Sequence, residues 1–414
     1  MSILLKNIKQ LVQVEHHRRS MVCGSDMSVL PSIDDAFLWI ENGYIAAFGP
    51  MSECPQPNER CQVIDVCNRT VLPAWCDSHT HIVYAGSREH EFIDRINGLS
   101  YEDIAKRGGG ILNSAKKLQQ ASEDELLEGA WGRLNEMMRC GTGAIEIKSG
   151  YGLSYEAELK MLRVIRRLKE LSPLKIKATF LGAHAIPQEY KDNRNAYIEL
   201  LTKQLLPRIA EEKLADYIDV FCDKGFFTPY ETAYILSAGW EHGLRPKIHA
   251  NELGFTDGVQ VGVQFNALSV DHLECVGSDE IEALRNSDSM PTLLPSTAFF
   301  LGLPYAPARK MIDAQLPIAL ASDYNPGSSP SGNMPFVLAL ACIQMKMLPA
   351  EAINAATLNS AYAMGIQDEL GSIAVGKKAH LIVTKPIPSI AYIPYSFGSN
   401  PIEKLIIGEY VQAY

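Results

Sequence analysis

The sequence predicts an α/β protein: a (β/α)8 TIM barrel with a small β domain built from both ends of the chain. Three observations lead there. Between Val71 and about Gly365, apolar strand-like runs alternate with charge-rich helical segments, the pattern of βαβ units on a parallel sheet. Eight such runs suit a barrel, whose usual size is roughly 250 residues. The two ends of the chain hold short β segments instead, and neither end is able to bury a core alone.

Taken in order, the first barrel strand grows from the apolar run Val71–Trp75 and ends at His81. The others are expected at Ala144–Lys148, Lys177–Gly182, Tyr217–Phe221, Pro246–His249, Ala267–His272, Thr292–Pro295 and Ile318–Asp323. Helices fill the intervals. Tyr155 to Glu170 carries Leu159, Leu162, Ile165 and Leu168 at helical spacing, which is a packing stripe. A doubly wound open sheet is the rival fold, but no Gly-x-Gly-x-x-Gly follows the first strand. Gly108-Gly109-Gly110 lacks the lysine and serine of a phosphate loop and reads as a flexible loop beside the site. In the terminal regions, Phe37–Ile40 and Ile45 flank Glu41-Asn42-Gly43-Tyr44, a hairpin signal. Gly371–Lys378 reads as a glycine-bounded strand followed by Leu381–Val383. The expected division is residues 1–70 with 366–414 as the composite β domain and 71–365 as the barrel.

Composition narrows the class of function. Of 414 residues, 47% are hydrophobic and 21% charged, as in ordinary globular proteins, and the net charge is -10. With no basic stripe, nucleic acid and anionic membranes are poor partners. The apolar run Phe336–Ile343 is too short to span a bilayer. The opening Met1–Lys6 carries no long apolar segment of a secretory signal. Nine cysteines without a Cys-x-x-Cys pair argue against a disulfide framework or a zinc knuckle, and the Cys54, Cys61, Cys67, Cys76 cluster fits no metal spacing. A cytoplasmic protein is expected.

The chemistry sits at the strand ends. In Asp77-Ser78-His79-Thr80-His81, residues i and i+2 share a strand face, so two imidazoles reach one point. Five histidines (His79, His81, His184, His249 and His272) fall at or just past strand ends, and Asp323 closes the eighth. In a barrel these ends converge on one face. Three imidazoles and a carboxylate suit zinc or iron. In His249-Ala250-Asn251-Glu252, one turn of loop brings Glu252 beside such a metal, where a carboxylate serves as a general acid/base.

This set, His-x-His on strand one, a histidine on strands five and six and an aspartate on strand eight, resembles the amidohydrolase superfamily. The terminal β segments resemble its accessory β-sandwich. Strand four ends at Phe221-Cys222-Asp223 without the lysine that bridges two ions in dinuclear members, which implies a mononuclear site. A finer resemblance is to the imidazolonepropionases. It rests on Asp77–His81, Gly86-Ser87-Arg88, Lys148-Ser149-Gly150-Tyr151-Gly152, Gly182-Ala183-His184 and Asp323-Tyr324-Asn325-Pro326-Gly327-Ser328. It implies that His79, His81, His249 and Asp323 hold one Zn2+ or Fe3+ ion per subunit. Glu252, His272 and Asp323 then handle the water that opens 4-imidazolone-5-propanoate to N-formimidoyl-L-glutamate. Arg88 suits the carboxylate tail of this small-molecule substrate. Tyr151, His184, Glu252, Asn325, Gly327 and Ser328 are the other expected contacts, the last three offering loop donors. Similar enzymes imply a homodimer. Two alternatives stand beside this reading: a nucleobase deaminase, and a barrel that only binds a small ligand.

Overall fold

The computed structural model describes residues 2–99 and 109–414. Met1 and Gly108, which the sequence reading drew on, lie outside them. The barrel strands are Trp75–Thr80, Thr142–Lys148, Lys175–Ala183, Tyr217–Cys222, Ile248–Ala250, Ser269–His272, Met290–Leu293 and Ala319–Leu320. All pair in parallel with their chain neighbours. The eighth meets the first through a bridge between Thr80 and Tyr324. Asp323 N donates to His79 O at 3.0 Å and His81 N to Tyr324 O at 2.9 Å. This seam nearly closes the barrel.

Most strand ends shift by one or two residues from expectation, and four strands differ more tellingly. The run Val71–Trp75 is divided: Thr70–Pro73 pairs in the terminal sheet, and the barrel begins at Trp75. The fifth strand is in two pieces: Arg245–Pro246 pairs with the fourth strand alone, and Ile248–Ala250 lies between the fourth and the sixth. Pro295 does not end the seventh strand. It opens the helix Pro295–Leu301, where its missing N–H costs nothing. The eighth strand stops at Leu320, and Asp323 has a positive φ of 51° incompatible with a strand.

The terminal sheet has eight strands. Its path runs Tyr410–Ala413, Ile402–Ile407, His380–Thr384, Thr70–Pro73, Ser2–Val12, Ser32–Glu41, Tyr44–Pro50, with Cys61–Asp65 also on the Ser2–Val12 strand. The hairpin forms as expected, with Asn42 and Gly43 both at positive φ, as a tight two-residue turn requires. The segment 371–378 is not a strand. Gly371 and Gly376 take positive φ (90° and 83°), and only single bridges at Ile373 and Lys378 touch the sheet.

Alternation along the shared strands serves two cores. Val71, Leu381, Val383 and Ile406 face the core of the terminal sheet with Ile3, Leu5 and Leu38. Their neighbours Leu72, Ile382, Leu405 and Ile407 turn into the barrel's core with Trp75, Ile145 and Met137. Side-chain period 2 makes this sorting automatic. Among the described residues, no helix is long and apolar enough to cross a membrane.

Candidate active site

Parallel register brings the ligands together. His249 lies opposite Asp271 on one side and Phe221 on the other, while Ala250 lies opposite His272. His79 and His81, two residues apart, point into the same space. The donor nitrogens of His79, His81 and His249 lie within 4.8 Å of one another. Asp323 Oδ1 sits 3.6 Å from His79 Nε2 and 3.5 Å from His81 Nε2. Its other oxygen accepts the Thr297 hydroxyl at 2.5 Å.

Burial, with Lys148 and the neighbouring imidazoles, drives His79 and His249 well below the usual histidine pKa, and burial with His184 does the same to His81. All three are neutral rings. His79 Nδ1 is 2.6 Å from Asp271, and His249 Nδ1 is 3.0 Å from Asp219. A carboxylate acceptor fixes the proton on Nδ1 and leaves the Nε2 lone pair facing inward. His249 Nε2 is buried without a hydrogen-bond partner, and the Nε2 atoms of His79 and His81 face each other at 3.3 Å. Lone pairs gathered this way around a carboxylate oxygen repel one another unless a cation lies among them. The donor set therefore fits a metal ion of the zinc or iron type.

Below the ring lies a buried ionic network around Lys148, which the sequence marks as a structural or supporting residue at the end of strand two without revealing its partners. Lys148 Nζ is 2.8 Å from Glu146, 2.7 Å from Asp219 and 3.4 Å from Asp271. Lys247 Nζ bonds the other oxygen of Glu146. Asp219 and Asp271 sit inside strands rather than at their ends, and only the alternation of strand faces hints at their inward aim.

Glu252 stands at the rim. Asp223, at the end of the fourth strand, accepts the N–H groups of Glu252 and Leu253 at 2.7 and 3.0 Å and so fixes this loop. Burial pushes the Glu252 carboxyl up to about 7, partly offset by His272, whose Nε2 is 3.7 Å away. Against the burial that disfavours its charge, Glu252 and Glu274 raise His272 to about 10. The pair thus holds an imidazolium beside a carboxyl able to take or release a proton near neutrality. His272 and Asp323 both sit at positive φ, 83° and 51°, the strained backbone often found at functional positions.

A cleft of about 490 Å³ opens above, lined by Arg88, Tyr151, His184, Glu252, Asn325, Gly327 and Ser328 among others. At its floor a pocket of about 50 Å³ touches His81, His249, His272 and Asp323. His79 lies behind that wall. The structure therefore gathers all the expected site residues into one region. His184 stacks on His81 with centroids 5.4 Å apart, and burial lowers it to about 4. Its Nδ1 lies 3.1 Å from Gly150 O. Arg88 pairs with Glu91 at 2.8 Å, and Glu91 also accepts the Gly110 N–H at 2.8 Å.

One expectation needs correction. The donors of the loop after strand eight are not open. Asn325 Oδ1 accepts both Gly327 N and Ser328 N at 2.8 Å, and Asn325 Nδ2 donates to Asp323 O and Ser328 Oγ. A short amide side chain two residues ahead of a turn satisfies the turn first. A Cβ on Gly327 would collide with the Arg88 guanidinium, so this glycine is what lets the loop lie against the arginine.

The chain has relatives over nearly its whole length. The Amidohydrolase family matches residues 228–408. Imidazolonepropionase of Flavobacterium johnsoniae is 59% identical over 98% of this chain and 99% of its own length. That of Geobacillus thermodenitrificans is 41% identical over 98% and 96%. Among solved structures, E. coli guanine deaminase superposes with a TM-score of 0.75 at 14% identity, covering 100% of this chain and 99% of its own. A zinc-bound adenosine deaminase of Xanthomonas campestris gives 0.72 at 15%, over 99% and 92%. These distant likenesses speak for the fold alone.

Proposed function

The chain belongs to the imidazolonepropionase family, and from that premise we propose how its own residues carry the reaction. The protein is a hydrolase of a cyclic amide: water opens 4-imidazolone-5-propanoate to N-formimidoyl-L-glutamate, a step of histidine degradation. His79, His81, His249 and Asp323 hold one ion, Zn2+ or Fe3+. When bound, such an ion supplies Lewis acidity that makes water a nucleophile near neutral pH.

Glu252 takes the proton of the attacking water, and its raised pKa suits that task. His272, an imidazolium, stabilises the negative charge that develops on the ring oxygen. Asp323 orients the water through Oδ1. Glu252 or His272 returns a proton to the leaving ring nitrogen as the C–N bond breaks. Arg88 receives the carboxylate tail, with Glu91 keeping the guanidinium in place. Tyr151 and His184 wall the ring, and the Asn325–Ser328 loop closes the far side of the cleft. The observation that carries this reading is a cationic anchor in the same cleft as the neutral imidazole cluster, which a purine or pyrimidine ring does not call for.

We also place the protein in the cytosol, an assignment supported by nine unpaired cysteines. We take it as a homodimer, with residues 1–70 and 366–414 as its accessory domain. The test supplies the imidazolone to the metal-loaded protein and follows formimidoylglutamate. Ammonia released from a nucleobase, with no turnover of the imidazolone, would overturn the assignment.

A further inference from the structure

Two of the metal-facing imidazoles are oriented by carboxylates from different strands, Asp219 behind His249 and Asp271 behind His79. Both carboxylates converge on one ammonium. Lys148 ends the second strand, is wholly buried, and lies 2.7 Å from Asp219 and 3.4 Å from Asp271. Its third partner, Glu146, is held independently by Lys247 and by the Thr179 hydroxyl at 2.7 Å. This network thus sets three carboxylates against two ammoniums. Among the described residues, Lys148 is the ammonium that touches both carboxylates acting on the metal histidines.

We propose that Lys148 is a positioning residue that sets the metal affinity of this site by aiming His79 and His249 together, through Asp271 and Asp219. The inference rests on the metal-site reading above. Its physical basis is simple. Two buried carboxylates that share a space repel strongly in a low dielectric. The ammonium between them turns that repulsion into two attractions and fixes where each oxygen points. Remove it and each carboxylate swings toward any other donor, taking its imidazole off the common point. Partners that orient metal ligands in this way are worth about 10–100-fold in metal affinity.

The experiment measures Zn2+ binding to the full chain by competition with a chelating dye, without reference to turnover. Lys148→Met keeps the length of the side chain and removes the charge. The expected loss is about tenfold or more in Zn2+ affinity. A lysine that merely stabilised the fold would lower the melting temperature of the metal-free chain and leave this affinity within about threefold, and that result overturns the proposal. Should Lys148→Met fail to fold, Asp219→Asn and Asp271→Asn decide, made singly and together. A shared ammonium makes their losses couple, so the double variant falls short of the product of the two. Losses that multiply overturn it. If the unmodified chain binds no Zn2+, the metal-site reading fails, which is a separate result.

Discussion

Glu252 and His272 face each other at 3.7 Å with opposite preferences for a proton, and this sets how activity should follow pH. A carboxyl raised to about 7 is a base only above that value. Turnover should therefore climb as pH rises through the Glu252 pKa, and a bound cation nearby moves that limb below 7, never above it. Glu252→Gln should cost about 10²–10⁴-fold in kcat and flatten the limb. A pH profile of both proteins checks this. Arg88→Met should raise KM about 10–100-fold, as losing a charged hydrogen bond of about 1.5–3 kcal/mol implies, with kcat less affected. Asp323→Asn should abolish turnover with the circular dichroism spectrum unchanged. At this scale the histidines and Asp323 were legible because they punctuate strand ends. Asp219 and Asp271 were not, since a carboxylate inside a strand declares its partner only once sequence separations as long as 192 residues are closed in space.

Elements were legible where one period dominated. The helix expected at Tyr155–Glu170 spans Tyr155–Leu171. The hairpin at Asn42-Gly43 formed because both residues tolerate positive φ. Misreadings fell where proline or glycine overrode hydrophobicity. Pro295 was counted into a strand although it starts a helix, and the apolar residues of 371–378 suggested a strand that two left-handed glycines forbid. Gly371 is the sharper case. At φ 90°, an added Cβ would lie 2.7 Å from Ala361 Cβ and 3.0 Å from Leu358 Cα. Gly371→Ala should destabilise the fold by about 1–3 kcal/mol, read as a lower denaturant midpoint.

At the scale of the whole molecule, the barrel and the terminal sheet cannot be pulled apart cleanly. Leu72, Ile382, Leu405 and Ile407 belong by backbone to one and by side chain to the other. Removing residues 366–414 would strip that side of the barrel, and the truncated chain should be recovered only in aggregates. Sedimentation of the expressed fragment tests it. Stripping the ion with a chelator should leave the fold but lower the melting temperature, since ligand at 100 times its Kd adds about 2.7 kcal/mol.

The seam between the first and eighth strands has a consequence for biosynthesis. Asp77 accepts Ser322 N and Oγ, groups 245 positions further along the chain. A ribosome thus has to deliver three quarters of the polypeptide before the first strand meets its last neighbour. Until then the proposed cation site lacks Asp323, the one carboxylate among its four expected ligands. On the proposed ligand set, the cation site is completed by the same docking event that shuts the ring of strands.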